Sequence, residues 1–512
     1  MRVVLLVALV AAQAPARAQS WWTPYGTSRQ VNVNAAGQNI PGDAANEPSL
    51  CIDPTNPNRI AVGWRQFDRV TNSFRQAGWA YSTNGGTTWV FPGTIDTNVF
   101  RSDPVLAADA DGRFYYLGVL TNGVAGVNYH CNLWRSTNGG VSWEPLGNVY
   151  GGDKEWLAID TTSGPGRGNL YQSWSPWYNY AGNPSDPDRI FSRSTDGGVT
   201  WSPPITMPHW PYWGTLDIGP DGTLYSVGTD GYTFWMNRST NAPNRKATVA
   251  FDLTREVNLG GTMIYGSPDV NPDGLLGQPW IAVDRSSQPT RGNVYVLCTV
   301  TGVSQDPADV VFARSTDGGE TWSAPLRLND DPPYRNAWHW FGTLSVAPNG
   351  RIDACWNDTR HDPNNTFSEL YYAFSEDGGL TWSPNYPVSP AFNHRLGYPV
   401  QRKMGDYIGM ISLADAACIA YAATFNGEED VYFLRVQPPI TVNVTRSGDT
   451  LHLVWNARAG ATYCVQTNDR LDTPWDGSAN VGCRTAQGNV ATFDLPIATG
   501  AGQRFYRVVR QP

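Results

Sequence analysis

The chain repeats one phrase five times. "YSTNGGTTW" ends at Trp89, "RSTNGGVSW" at Trp143, "RSTDGGVTW" at Trp201, "RSTDGGETW" at Trp322 and "FSEDGGLTW" at Trp382. Asp-Gly-Gly or Asn-Gly-Gly between two strand-like runs specifies a tight hairpin, because glycine accepts positive φ at no steric cost. The Asp or Asn side chain can hydrogen-bond the backbone of its own turn. The Trp three residues after the second glycine opens the outgoing strand and is large enough to fill the gap between neighbouring sheets. Folding alone accounts for every residue type in the phrase.

The same order returns at a larger scale. A strand such as "PSLCID" meets the turn "PTNPNR" and then "IAVGWR" before the chain runs into a box. "PVLAAD…FYYLGV", "EWLAID…LYQSWS", "GTLDIG…LYSVG", "PWIAVD…VYVLC", "GTLSVA…IDACWND" and "YIGMIS…CIAYAA" repeat it, giving seven units. This period predicts an all-β, seven-bladed β-propeller with four-stranded blades, six blades being the alternative. With 22 Trp, 24 Tyr, 52 Gly and 38 Pro in 512 residues, the composition suits short strands joined by tight turns. The fourth unit carries a degenerate box, "NRSTNAPN", and the seventh stops after "DVYFLRV" without an outer strand. Residues 29–34, "RQVNVN", are expected to supply it and close the ring.

"MRVVLLVALVAAQAPARAQ" reads as a signal peptide over 1–18, with Arg2 at its positive end and Ala16-Arg17-Ala18 as the cleavage site. A secreted or periplasmic protein follows, and no segment is long enough to span a bilayer. Cys51, Cys298, Cys355 and Cys418 sit singly in apolar strands and read as small buried hydrophobes. Cys464 and Cys483 are the disulfide candidates. A net charge of -9 with no Lys/Arg run argues against nucleic acid. No zinc spacing appears and no cofactor is implied; Asp/Asn-rich loops such as "DPTNPN" could hold calcium, but ordinary turn chemistry explains them better. The propeller is read over 19–436 as a monomer. After Pro438-Pro439 the alternating strands of 437–512 resemble a small fibronectin-type β-sandwich accessory module.

The five boxes in this strand context resemble the Asp-box, or BNR, repeats of the sialidase superfamily, across roughly residues 30–436. In that family the boxes lie on the periphery, and the strand directions agree: boxes are turns between third and fourth strands, opposite the blade-to-blade connections. A site is therefore expected on the other face, where the innermost strands begin. Glu47, Asp103, Glu155, Asp406 and Tyr407 fall at those starts, with Asp358 in the loop "CWNDTRHDP". These are the candidate catalytic residues. Arg65, Arg101, Arg360, Arg402, Trp156, Trp177, Trp280, His339 and Trp340 are the candidate substrate contacts. Aromatic faces stack on sugar rings, and paired carboxylates act as acid and nucleophile or base.

The resemblance implies a glycan substrate and a carboxylate-gripping set of arginines, since guanidinium forks match a carboxylate. It also implies a tyrosine nucleophile, for which Tyr407 with Glu47 or Glu155 is the available pair. The family's Arg-Ile-Pro is absent; the corresponding stretch is "NEPSLCID". Asp358 and Arg360 could equally be a salt bridge locking the sixth blade to the seventh. Two readings stay open: a sialidase-like glycoside hydrolase, and a non-catalytic propeller that binds glycans or proteins.

Overall fold

A computed structural model describes residues 20–121, 129–176, 188–333, 336–440, 442–457, 462–468, 480–488, 490–496 and 505–510. The expected signal peptide and Trp177 lie outside the described residues. All regular structure among them is β, and none of it is a helix long and apolar enough to cross a membrane. The chain divides into two compact units after Val436.

Among the described residues the first unit holds seven antiparallel sheets of four or five strands, each built mainly from one sequence unit. Ala44–Ile52 opens the first and Ser102–Ala108 the second; Trp156–Ile159 and Tyr212–Ile218 open the third and fourth. Trp280–Val283, His339–Val346 and Gly409–Ser412 open the fifth to seventh. Each opening strand packs on the opening strand of the next sheet, and the seventh returns to the first, so the sheets form a closed β-propeller ring. Side-chain to backbone hydrogen bonds tie these inner strands together. Leu106 N–H donates to Ser49 Oγ at 2.9 Å, and Ile281 N–H to Thr215 Oγ1 at 2.9 Å. Closure uses Gly26–Gln30, which pairs with Asp430–Val436 in the register Arg29↔Phe433 and Gln30↔Tyr432. The pairing thus falls on the first residues of the 29–34 window, with Val31 N–H donating to Val431 O at 2.9 Å, while Val33 forms a bridge with Asn39.

The boxes fasten sheet to sheet. In each, the Ser Oγ accepts the second glycine's N–H at 2.8–2.9 Å and donates to the Asp or Asn side chain. Both glycines of every box have φ between 70° and 90°. A Cβ on the second glycine would run into the preceding sheet: Phe433 at Gly86, Ala61 at Gly140, Leu133 at Gly198, Met236 at Gly319 and Phe312 at Gly379. Glycine is required there twice over, by conformation and by close approach.

The second unit contains two three-stranded sheets, ordered Val442–Ser447, Thr450–Asn456, Val490–Pro496 and Asn480–Thr485, Thr462–Asn468, Phe505–Arg510. Leu453, Trp455 and Leu495 of one share a core with Tyr463 and Val465 of the other. The Cys464–Cys483 disulfide crosses between adjacent strands. Cys51, Cys131, Cys298, Cys355 and Cys418 are free and buried.

Candidate functional site

Four inner strands carry the same irregularity where they begin. Their register slips between Asn46 and Ser49, Ser102 and Val105, Tyr212 and Thr215, and Trp340 and Thr343. Each slip leaves one residue in left-handed backbone: Glu47 (φ 52°), Asp103 (50°), Trp213 (55°) and Phe341 (62°). Lys154 (φ 55°) and Gly405 (101°) precede the inner strands of the third and seventh sheets in the same way. For a residue with a Cβ this conformation costs about 1–2 kcal/mol. Such bulges re-aim side chains, and strained backbone concentrates at functional sites. Gly405 lets its loop close on the backbone of Glu47, where a Cβ would stand 2.8 Å from the Glu47 nitrogen.

The re-aimed charges meet at the hub. Glu47 bonds Arg65 at 2.8 Å and Lys403 at 2.8 Å. Lys403 reaches Asp406 at 2.5 Å. Lys154 bonds Asp406 as well and stands 3.4 Å from Asp103. Above this network lies a cavity of about 440 Å³. Arg65, Arg75, Asp103, Asp153, Lys154, Lys403 and Asp406 line it, with Trp213, Tyr265, Asp273 and Gln401.

One wall comes from an extra hairpin between the fourth and fifth sheets, Tyr265–Ser267 with Asn271–Leu275. It docks on the loop before the seventh sheet. Leu275 N–H donates to Asp406 Oδ1 at 2.8 Å, and Asn271 Nδ2 to Gly405 O at 2.9 Å. Arg402 N–H donates to Asp273 Oδ2 at 2.9 Å. The Tyr265 ring lies near-parallel to Trp213 at 6.1 Å, and both rings border the cavity.

The environments of the carboxyls differ. Burial pushes Glu47 up to about 7 against the pull of Arg65 and Lys403, and pushes Asp153 up to about 6. Burial acts on Asp103 and Asp406 too, but Lys154 and Lys403 outweigh it and hold both below the ordinary carboxylate range. Glu155 is buried with neither oxygen hydrogen-bonded, and burial lifts it well above its usual value. A site with carboxyls set apart in this way can offer a proton donor and an ionised acceptor together.

The other sequence candidates divide. Tyr407 is buried, gives its hydroxyl to Pro104 O at 2.9 Å and meets Trp156 edge-on at 5.7 Å; Trp156 meets Trp280 edge-on at 5.0 Å. These rings are packing, not cavity lining. Asp358 and Arg360 form a separate group, with Arg360 Nη2 2.8 Å from Asp358 Oδ2 and Nη1 2.6 Å from Asp330 Oδ1. His339, fully buried, stands 3.1 Å from Asp331 and 3.5 Å from Asp358. The expectation that this salt bridge locks the sixth blade to the seventh is corrected: its partners Asp330 and Asp331 leave the fifth sheet, so it fastens five to six. Arg101 bonds Asp96 at 2.6 Å and covers Trp134. Arg402 is largely exposed, 3.5 Å from Asp273. Trp340 donates to Ser368 Oγ at 3.1 Å in the core. Asp153, Lys154 and Lys403 stand at the expected strand starts but were not among the candidate residues, nor were Arg75 and Tyr265. The alternation of acid and base across equivalent strand starts was the available signal for the first three.

The BNR/Asp-box repeat model matches residues 313–324. A xyloglucanase of Paenibacillus sp. is 26% identical over 74% of this chain and 37% of its own length. Xyloglucanase Xgh74A of Acetivibrio thermocellus is 28% identical over 57% of this chain and 32% of its own. The chain thus spans about a third of the length of these curated relatives. The Hadza microbial sialidase Hz136 has a similar structure, at 13% identity and a TM-score of 0.38, over 77% of this chain and 66% of its own. The Asp-box likeness therefore extends to a BNR-type β-propeller, while the curated relatives are named as xyloglucanases and not as sialidases.

Proposed function

We propose that this chain is a seven-bladed propeller, followed by a small β-sandwich, that hydrolyses a glycan in the hub cavity. It works outside the cytoplasm as a monomer, a location that its disulfide suits. The observation that carries the reading is that Asp153 and Asp406 line one cavity in different surroundings: burial pushes Asp153 up to about 6, while Lys154 and Lys403 hold Asp406 below the ordinary carboxylate range. Asp153 gives its proton to the glycosidic oxygen as the C–O bond breaks; Asp406 receives a proton from the water that attacks the anomeric carbon. Trp213 and Tyr265 offer ring faces to the sugar. The xyloglucanase relatives support a β-glucan substrate of the xyloglucan type. Sialidase chemistry is not supported, because the Tyr407 hydroxyl is given to Pro104 O and Tyr407 does not line the cavity.

The second reading, binding without cleavage, draws on one observation: two ammonium groups clamp Asp406, which lowers its basicity. Incubating the full chain with xyloglucan, mixed-linkage glucan and a sialoside separates the readings. Release of reducing ends from xyloglucan, lost by about 100-fold or more in Asp153→Asn at unchanged melting temperature, is the expected result. Retention of xyloglucan by the wild type with no product would replace hydrolysis by binding.

A further inference from the structure

A run of aromatic side chains leaves the cavity and crosses the fourth sheet on the same face. It starts at Tyr265 and Trp213. Trp213 meets Tyr212 edge-on at 4.8 Å. Tyr212 adjoins the loop between the second and third strands, where a Cβ on Gly231 would stand 2.8 Å from its hydroxyl. In that loop Asp230 accepts the Trp235 indole N–H at 2.8 Å, and Tyr232 is 83% exposed. Trp235 stacks on His209 at 3.7 Å and 9°, and the adjacent Trp210 is 49% exposed.

Two independent features say that this run is more than scattered surface hydrophobics. His209 (φ 61°), Trp210 (45°) and Trp213 (55°) all adopt left-handed backbone within five residues. Bulky side chains rarely enter that region, and where the fold enforces it the strain marks function. The run is also continuous with the cavity: Tyr265 and Trp213 border it, Trp213 meets Tyr212, and the Tyr212 hydroxyl adjoins Gly231 of the loop. The rings are interleaved with acceptors and donors, namely Asp230, His209 and the tyrosine hydroxyls. A sugar presents such a mixture, with apolar C–H faces and hydroxyl rims; a lipid surface does not.

We infer that the 208–213 connection and the 229–235 loop form outer subsites for a glycan chain several sugars long, which runs radially from the hub over the fourth blade. This rests on the reading of the cavity as the sugar site and extends that site outward over the fourth blade. Length of ligand, rather than identity of one residue, then sets affinity.

Calorimetry on the full chain with a graded series of xyloglucan oligosaccharides tests it, beside Tyr232→Ala and Trp210→Ala. Both side chains are exposed and neither lines the cavity. For the wild type, affinity should climb with length. Each variant should lose on the order of tenfold for the longest oligosaccharide and nothing for the shortest that binds. Trp213→Ala should weaken all lengths. Affinity independent of length, or long-chain affinity unchanged in both variants, overturns the outer subsites while leaving the cavity reading intact. Long-chain binding that depends on Tyr232 but not on Trp213 keeps the run and removes the cavity. No binding at any length overturns both, and a protein partner retained through Tyr232 in place of sugar overturns the run as a glycan track.

Discussion

Lys154 and Asp406 are 252 residues apart in sequence and bonded to each other at the hub of the ring. The bond joins the start of the third sheet to the start of the seventh, and Lys154 also faces Asp103 from the second. Each of these charges is nearly inaccessible, and their mutual attraction offsets the cost of burying them. Removing one partner strands the others. Lys154→Met should therefore cost about 3–5 kcal/mol, read from urea unfolding of the full chain. Lys154→Arg, which keeps the charge, should cost less. A loss under about 1 kcal/mol for the methionine variant would show that the hub is hydrated well enough to do without the bond.

The boxes give a second test, with an internal control. Gly427 has φ 88° and open space around the position of a Cβ, whereas a Cβ on Gly86, at φ 84°, would strike the Phe433 ring. Gly427→Ala should lose only the conformational allowance, about 1 kcal/mol. Gly86→Ala should lose a further 1–3 kcal/mol, roughly, for overpacking. Equal losses in thermal unfolding would mean that the box turn yields freely and does not lock one sheet against the next.

Acidity should stabilise the hub down to a limit. Glu47 and Asp153 have folded values near 7 and 6, above their ordinary 4.5 and 3.8. Their contribution is complete below those ordinary values and is lost as pH rises through 6 and 7. Asp103 and Asp406, held low, contribute above 3.8 and lose that contribution as pH falls below it. The melting temperature should thus peak at about pH 4–5 and decline by a few degrees towards pH 8. Glu47→Gln should flatten the decline between 4.5 and 7; an unchanged slope would assign it to other groups.

The second unit should answer to reductant on its own. Its disulfide closes a loop with a sequence separation of 19, which corresponds to about 3 kcal/mol in the chain-entropy picture. Dithiothreitol should lower one calorimetric transition and leave the larger, propeller transition in place. A shift of both would show that the two units unfold together.

The sheets and the boxes were legible because their signals are local: a glycine pair, an Asp or Asn that bonds its own turn, a Trp at fixed spacing, and alternation along each strand. The inner-strand starts were legible as a place, since strand direction alone puts Glu47, Asp103 and Asp406 on the face away from the boxes. Which side chains would touch there was not. Lys154 reaches Asp406 only through closure of the whole ring. Among the described residues the 265–275 hairpin has no counterpart in the other units, so no repeat announced it. Asp358 and Arg360 sit on the expected face but bond each other, and Arg360 is held further by Asp330 from the connection after the fifth sheet. Tyr407 illustrates the remaining difficulty: strand position gave its neighbours, and only packing shows its hydroxyl spent on a backbone carbonyl.

Cleavage of a glycan chain in the hub cavity is proposed to depend on Asp153 and Asp406 together. Initial rates of reducing-end release from xyloglucan, for the wild type, Asp153→Asn and Asp406→Asn at matched fold and pH, test it most directly. Turnover by the wild type, with a falling limb near pH 6, and a loss of about 100-fold or more in each variant are the expected results. Wild-type turnover that survives both substitutions would contradict it and move the chemistry away from the hub.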